Sequence, residues 1–238
     1  MGKLVVTEFI SLDGIIEDPG GSEGTEQGGW SFLHPADEGQ AYKGEELERA
    51  DAQLLGRVTY EGFAAAWPAM EDTTGEFGKK MNAMPKVVVS TTLTEAAWNN
   101  TTIISGDLAA EVNRLKQRYQ GDILVAGSAT LVHALTKLGL VDEYRLMVHP
   151  VVLGKGKRLF SEDNAGTDLE LAESRKAGPD VLLLIYRPAK PAAHSGDDPG
   201  RPAGAACRPA GFALLALGAT PWNPRWRKAL VTSRGLSP

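Results

Sequence analysis

Short, largely apolar runs recur along residues 1–187, and segments with helical spacing separate several of them. A strand with apolar side chains on both faces must be covered on both faces, as in a sheet that lies between layers of helices. The pattern therefore predicts an α/β fold with a mixed, mostly parallel sheet. The runs that carry this prediction are KLVVTEFISL (3–12), AQLLG (52–56), PKVVVSTT (85–92), TTIISG (101–106) and GDILVAGS (121–128).

Two of the intervening segments have the spacing of amphipathic helices. Residues 107–121 repeat apolar side chains every three or four positions, with Asp107 placed to cap the first turn and Gly121 to end the helix. Residues 129–139 do the same and stop at Gly139. We expect both helices to cover the sheet.

The last apolar runs have no helix between them. Residues 143–154 form one predicted strand, and residues 168–188 read as two strands that turn around Gly178 and Pro179. Consecutive strands joined by a short turn are antiparallel. The sheet is therefore predicted to end in an antiparallel C-terminal hairpin.

The composition changes at Pro188. Residues 188–238 are rich in Pro, Ala and Gly, a composition that cannot bury enough apolar surface to offset the ordering of the backbone. We expect one domain over residues 1–187 and a disordered tail beyond it. The alternative for the tail is a docking segment that uses Trp222 and Trp226.

Charge and cysteine content exclude several classes of function. Residues 1–187 carry 18 basic and 28 acidic side chains, and so acidic a body is a poor non-specific binder of nucleic acid. The single cysteine, Cys207, permits no intrachain disulfide, and the Cys and His residues lack the spacing of a zinc site, which favours the cytoplasm. The longest apolar stretch, residues 212–219, is too short to cross a bilayer. We therefore expect a small-molecule partner, with neither nucleic acid nor membrane.

The residues that follow the predicted strands are suited to an anionic ligand, because ligands of open α/β sheets bind at the carboxyl ends of the strands. Gly127, Ser128 and Ala129 lie between a strand and a helix, where free backbone N–H groups attract phosphate. An ordinary strand–helix connection would use the same residues. Residues 127–129 are therefore compatible with a pyrophosphate site and with an ordinary strand–helix connection.

Two further strand ends add polar groups of other kinds. Gly56 is followed by Arg57, whose planar guanidinium suits a phosphate, and by Thr59, which could cap the next helix. The alternative for Arg57 is a pair with a nearby acid. Ser90 and Thr91 provide hydroxyl groups, either for a ligand or for a polar turn. Taken together, the three strand ends favour a long anion with several anchors, such as a dinucleotide.

Several motifs in this order are familiar at family level. The chain resembles the dihydrofolate reductase superfamily, and most closely the reductase domain of the bifunctional riboflavin-biosynthesis deaminase/reductase and its stand-alone bacterial relatives. The resemblance covers residues 1–187 and none of the tail. The motifs are SLDGIIED (11–18), ADAQLLGRVTYEGFAAAWP (50–68), PKVVVSTTL (85–93), DILVAGSATLVHAL (122–135) and VDEYRLMVHPVVLGKGKRLF (141–160).

The resemblance implies a three-layer αβα fold, an NADPH-dependent reductase and, commonly, a homodimer. It implies that Gly56, Arg57 and Thr59 meet the adenosine end of NADPH, with Arg57 on the 2′-phosphate. The hydroxyl groups that would lie near the same phosphate belong to Ser90 and Thr91, and the turn that would wrap the pyrophosphate comprises Gly127, Ser128 and Ala129.

At the reacting end, the resemblance places the SLDG loop beside the nicotinamide, so that Asp13, Gly14 and Ile16 line it. Asp13 and Asp37 are the candidate catalytic residues: Asp37, or a bound water, as proton donor, and Asp13 mainly as a residue that shapes the loop. The alternative for Asp37 is an acid in the first turn of a surface helix. The substrate would stack beside Ile16, Trp30 and Phe32.

The expected activity is hydride transfer to a pyrimidine- or pteridine-like heterocycle or to a ribosylamino-pyrimidine, as in riboflavin biosynthesis. Two alternatives stay open: a non-catalytic nucleotide-binding protein of the same fold, and a true dihydrofolate reductase. Lys155, Lys157 and Arg158 would bind a substrate phosphate or form a solvated basic turn.

Overall fold

The computed structural model describes residues 1–164 and 166–189, so the predicted tail from residue 190 onward, with Trp222 and Trp226, lies outside the described residues. The strands are β1 (Lys3–Ser11), β2 (Ala50–Gly56), β3 (Lys86–Val89), β4 (Thr101–Ile104), β5 (Asp122–Val125), β6 (Glu143–His149), β7 (Leu169–Lys176) and β8 (Leu182–Pro188). The helices are α1 (Asp37–Arg49), α2 (Arg57–Thr74), α3 (Glu76–Ala83), α4 (Leu108–Arg118) and α5 (Ala129–Lys137), with single 3-10 turns at Trp30–Leu33 and Glu162–Asn164.

The eight strands form one sheet in the order β4-β3-β2-β5-β1-β6-β8-β7. Every pairing from β4 to β6 is parallel, whereas β8 runs antiparallel to both β6 and β7. The predicted mixed, mostly parallel sheet with an antiparallel C-terminal hairpin is confirmed. Because six parallel strands point the same way, their carboxyl ends meet at one edge of the sheet.

Helices cover both faces of the sheet, as the apolar strands require. On β1, Leu4 and Val6 belong to the core cluster that includes Val112 of α4 and Leu135 of α5. Val5 belongs to a second cluster, which includes residues of α1, α2 and α3. Successive side chains of a strand point to opposite faces. The two clusters therefore lie on the two sides of the sheet, and the three-layer αβα fold is confirmed.

Several predicted strands are longer than the observed ones, and for three of them the observed end is explained locally. β6 ends at His149 because Pro150 has no N–H for the sheet. β5 ends at Val125 because Gly127 and Ser128, with φ near +67°, take left-handed conformations that a strand does not allow. β4 ends at Ile104, two residues before Gly106. The shortening leaves free polar groups at the sheet edge.

Buried charges join α1 to the middle of the sheet. Arg145 on β6 lies within salt-bridge distance of Glu46 (3.3 Å), Asp122 (2.8 Å) and Glu143 (2.7 Å). The side chain of Glu46 also accepts hydrogen bonds from Thr7 and from Lys43 of its own helix.

Within the described part of the chain, no helix combines the length and the apolar character needed to cross a membrane.

Candidate functional site

The ends of β2 and β5 are tied together by one hydroxyl group. The backbone N–H of Gly56 donates to Ser128 Oγ over 2.8 Å, and Ser128 Oγ donates in turn to Thr59 Oγ1 over 2.8 Å. Ser128 is thereby joined to two residues of the distant β2–α2 connection at the carboxyl edge of the sheet. We call Gly56, Thr59, Gly127 and Ser128 the glycine junction.

The glycine junction has no room for extra side-chain atoms. A Cβ atom on Gly56 would lie 2.9 Å from Ser128 Oγ, and one on Gly127 would lie 3.1 Å from Thr59 Cγ2 and Oγ1. The two glycines therefore allow the ends of β2 and β5 to pack closely against Ser128 and Thr59, and neither presents a side chain of its own. Helix α5 begins directly afterwards at Ala129, and its first N–H groups have no partner within the helix. Bare backbone beside a helix N-terminus is what a pyrophosphate requires.

Arg57 is the first residue of α2 and lies beside the glycine junction. One of its terminal nitrogens, Nη1, donates to both carboxylate oxygens of Glu61, at 3.0 and 2.8 Å. Both side chains are nearly half exposed. The alternative of an arginine paired with an acid is therefore realised in the structure. The other guanidinium N–H groups have no hydrogen-bond partner among the described residues, and a phosphate could use them.

The hydroxyl groups after β3 have a local task. Ser90 is buried, and its Oγ accepts hydrogen bonds from the backbone N–H groups of Thr92 (3.2 Å) and Leu93 (2.9 Å). Thr91 is exposed. Neither side chain contacts the glycine junction within residues 1–164 and 166–189. Ser90 thus shapes the turn that presents Thr91 at the same edge of the sheet.

Asp13 connects the loop after β1 to the loop after β6. Its carboxylate accepts hydrogen bonds from Ser11 Oγ (2.7 Å) and from the N–H groups of Leu153 (3.1 Å) and Gly154 (2.7 Å). The Ser11 bond, together with the two backbone bonds, lowers the pKa of Asp13 to about 2. A carboxyl group with this pKa is ionised at neutral pH and holds no proton to donate.

The other residues predicted at the reacting end are scattered. Ile16 is buried in the core, in the same apolar cluster as Ala129. Asp37 begins α1 and is exposed, without a side-chain hydrogen bond in the described residues. Trp30 is buried and donates through Nε1 to the carbonyl of Glu17, whereas Phe32 is 73% exposed. No hydrogen bond or shared partner links Asp13 to Asp37 among the described residues, and their catalytic role stays a prediction.

Two of the three cations in the basic segment after β6 are engaged by the protein itself. Lys157 pairs with Glu17 (2.7 Å) and Glu23 (3.5 Å), and the guanidinium of Arg158 donates to the carbonyl of Asp13. Lys155 instead lines a pocket of about 190 Å³, next to Trp30. Lys157 and Arg158 are thus part of a basic turn, which is one of the two alternatives predicted for this segment. Of the three cations, Lys155 alone lines a pocket.

Comparison with known proteins identifies the family. The model of the RibD C-terminal domain matches residues 2–183. The chain belongs to the RibD C-terminal domain family. The family resemblance predicted from the sequence is thereby confirmed.

Relatives of this RibD C-terminal domain include an uncharacterized protein and two solved structures. The uncharacterized protein YyaP of Bacillus subtilis is 32% identical over 186 residues, which cover 77% of this chain and 94% of YyaP. A putative riboflavin biosynthesis protein from Shewanella superposes with a TM-score of 0.61 at 22% identity, over 79% of this chain and 99% of that one. Dihydrofolate reductase from Enterococcus faecalis, solved with NADP(H), gives 0.53 at 14% identity, over 79% and 98%. These two likenesses establish the fold alone.

Two buried titratable residues of this RibD-family domain were not singled out from the sequence. Glu8 on β1 is 4% exposed, and its Oε1 has no hydrogen-bond partner in the described chain. His149 at the end of β6 is 1% exposed, with both ring nitrogens equally unpartnered there. Burial, with a smaller contribution from His34, lowers the pKa of His149 to about 4. The available signal for Glu8 was an acid inside the apolar run LVVTEFI.

Replacing Asp13 by Asn should loosen the junction between the two loops. An amide offers one acceptor oxygen where the carboxylate offers two, so Leu153 or Gly154 loses a partner. We expect the N–H groups of these two residues to exchange with solvent roughly tenfold faster, since a bond to a charged acceptor is lost. Hydrogen exchange measured residue by residue tests this, with Asp37→Asn as a control that leaves both rates unchanged. Equal rates in wild type and Asp13→Asn would contradict the role.

Proposed function

We propose that this chain is an NADPH-dependent reductase that transfers hydride to a C=N or C=O group of a pyrimidine- or pteridine-like heterocycle or a ribosylamino-pyrimidine. The observation that carries the proposal is the glycine junction, where Ser128 joins Gly56 to Thr59 beside the bare backbone of Gly127. Membership of the RibD C-terminal domain family supports it.

The residues at the carboxyl edge of the sheet suit the phosphates of NADPH. The N-terminus of α5 and the backbone of Gly127 and Ser128 would hold the pyrophosphate. Arg57 would hold the 2′-phosphate through the guanidinium N–H groups that Glu61 does not use. Thr91 would add a hydroxyl at the same end, while Ser90 keeps its turn in shape.

Beside the loop after β1, where the nicotinamide would lie, the chain must position the reacting groups and exclude water. NADPH supplies the hydride when it is bound. Ile16 and Ala129 share one apolar cluster and would exclude water from the nicotinamide. Asp13 would act by holding the adjoining loops in place, because its carboxylate is already occupied by three donors. A homodimer, with the C-terminal strands as the contact, completes the proposal.

The proposed role of Arg57 predicts a preference between two cofactors. Arg57→Ala removes a charge-assisted contact of roughly 1.5–3 kcal/mol to the 2′-phosphate, which is roughly a 10- to 150-fold rise in the Kd of NADPH. The Kd of NADH, which lacks this phosphate, should change little. Isothermal titration of both cofactors measures the difference.

Glu61→Gln is the matched control for this measurement. It removes the acid that now pairs with Nη1 of Arg57, so NADPH should bind slightly more tightly and NADH as before. If wild-type protein bound NADPH and NADH equally well, the role of Arg57 would be wrong.

Turnover separates the proposed reductase from its alternatives. NADPH absorbance is followed with dihydrofolate, a panel of pteridines and a ribosylamino-pyrimidine as probes. Oxidation of NADPH by a pteridine or the ribosylamino-pyrimidine supports the proposal. Tight NADPH binding without turnover on any probe would favour a non-catalytic nucleotide-binding protein. Inhibition by methotrexate at low concentration would favour a true dihydrofolate reductase.

A further inference from the structure

Glu8 on β1 is an acidic residue enclosed by the protein, next to the residues proposed to bind the cofactor. Parallel pairing of β1 with β5 sets Val6 opposite Val125, so Gly127, two residues further along, comes opposite Glu8. The side chain of Glu8 points to the same face as those of Val6 and Ile10, because side chains of a strand alternate. This face carries the cluster that contains Ile16 and Ala129. Glu8 is therefore next to the glycine junction, on the face of β1 that carries this cluster.

The environment of Glu8 favours the neutral acid. Burial raises its pKa to about 8, although Lys43 and the Gly127 N–H act in the opposite direction. The charged groups whose electrostatic influence reaches Glu8 are Lys43 and Glu46 of α1, on the other face of the sheet, and Glu46 raises the pKa further. Oε1 has no hydrogen-bond partner among the described residues. An enclosed carboxyl oxygen without a partner is costly, and such a group is retained where a ligand uses it.

Neither acid predicted from the sequence offers the same combination. Asp13 is ionised at neutral pH, since three donors hold its carboxylate. Asp37 is an exposed residue in the first turn of α1. A proton donor must keep its proton at the working pH and lie within reach of the reacting atom. Glu8 meets the first condition, and the register of β1 with β5 places it beside Gly127 of the glycine junction.

We propose that Glu8 is the proton donor of the reduction, an inference that rests on the proposed function. As the substrate carbon accepts the hydride, the π electrons of the C=N or C=O bond move to the nitrogen or oxygen. That atom takes the proton from the Glu8 carboxyl group. The O–H bond of Glu8 breaks, its electron pair stays on the carboxylate, and Lys43 favours this charged form. Water returns the proton before the next turnover.

The proposal can be tested without knowing the substrate, by using the two forms of the cofactor as probes. The oxidised nicotinamide ring carries a positive charge that the reduced ring lacks. An opposite charge within about 4–6 Å lowers the pKa of an acid by roughly 1–3 units. Binding of NADP⁺ at pH 7 should therefore release on the order of half a proton or more from Glu8, and binding of NADPH should release almost none.

Titration calorimetry in buffers with different ionisation enthalpies measures the released protons. In Glu8→Gln, which keeps the side-chain volume, the difference between NADP⁺ and NADPH should disappear. Glu48→Gln, an exposed position on α1, should keep the wild-type difference. Infrared difference spectra of the wild type give a second readout that needs no variant: the band of a protonated carboxyl should weaken when NADP⁺ replaces NADPH.

The outcomes separate the two proposals. Binding of both cofactors with equal proton release, or a release that persists in Glu8→Gln, would overturn the role of Glu8 and leave the reductase standing. If wild-type protein bound neither cofactor, the proposed function would fail, and the inference with it. Proton release on NADP⁺ binding that is lost only in Glu8→Gln would establish the inferred position.

Discussion

Arg145→Met is expected to lower the free energy of unfolding by about 3–5 kcal/mol, because it removes the shared cation of a buried group of carboxylates. Arg145 contacts Glu46, Asp122 and Glu143, and its side chain is only 7% exposed. Burial alone would raise the pKa of Glu46, but Lys43, Thr7 and Arg145 together hold it below its usual range. Without the guanidinium, these acids must stay buried with too few partners or take up protons.

The pH dependence of this loss has a defined sign. An acid whose pKa is lowered by folding contributes stability above its unfolded pKa, near 4.5 for Glu46, and loses it as the pH falls through the folded value. Glu143, held low by Arg145 and Arg187 against the effect of burial, behaves in the same way. The difference between wild type and Arg145→Met should therefore be largest near neutral pH and shrink below pH 4.5.

Urea unfolding followed by circular dichroism measures the effect, provided that the slope with denaturant is unchanged. Arg114→Met is the matched control, since Arg114 pairs with Glu111 on the surface of α4 and is 66% exposed. An exposed pair contributes about 0–1 kcal/mol, so this variant should resemble the wild type. Equal losses in both variants would show that the buried cluster adds no special stability.

Gly127→Ala is expected to raise the Kd of NADPH roughly 10- to 150-fold. This range corresponds to the loss of one charge-assisted contact to the pyrophosphate, which contributes about 1.5–3 kcal/mol. The added Cβ lies 3.1 Å from Thr59 Cγ2 and Oγ1 and forces the glycine junction to shift. NADPH and NADH share the pyrophosphate, so both should weaken together. Arg57→Ala, by contrast, should affect NADPH alone.

The comparison must separate crowding from backbone strain, because Gly127 has a φ of +67°. Left-handed backbone costs roughly 1–2 kcal/mol for a residue with a Cβ. Gly139 has a similar φ of +63°, but a Cβ there meets nothing within 4 Å. Gly139→Ala should therefore lose similar stability and keep the wild-type Kd for both cofactors. Unchanged binding in Gly127→Ala would remove Gly127 from the proposed pyrophosphate site.

Local patterns allowed much of the fold to be predicted. Apolar runs placed β1, β2, β3 and β5 within one or two residues at most ends, and helical spacing placed α4 and α5. These predictions succeed because periodicity and end signals such as Gly139 act over a few residues. The ends of β5 and β6 were predicted too late, since the left-handed pair Gly127–Ser128 and the missing N–H of Pro150 stop pairing before the apolar run ends.

The site was predictable only in its parts. Small residues at Gly56 and Gly127 follow apolar strands, and a parallel sheet brings such ends to one edge. A single hydroxyl, Ser128 Oγ, joins Gly56 to Thr59 in the structure. This contact was not predictable, because Ser128 lies 72 and 69 positions away from these two residues in the sequence. The assignment of Asp13 and Asp37 as catalytic residues stays a prediction, and the geometry favours a positioning role for Asp13.

The sequence by itself determined the alternation of strands and helices, the antiparallel C-terminal hairpin and the residues at the ends of the strands. It did so because side-chain periodicity and turn residues are read over short distances. Only the tertiary structure decided which acids hold a proton. Donors from a loop 140 residues away lower the pKa of Asp13 to about 2, whereas burial beside Gly127 raises the pKa of Glu8 to about 8. A pKa depends on burial and on neighbouring charges, and both exist only once distant segments are packed together.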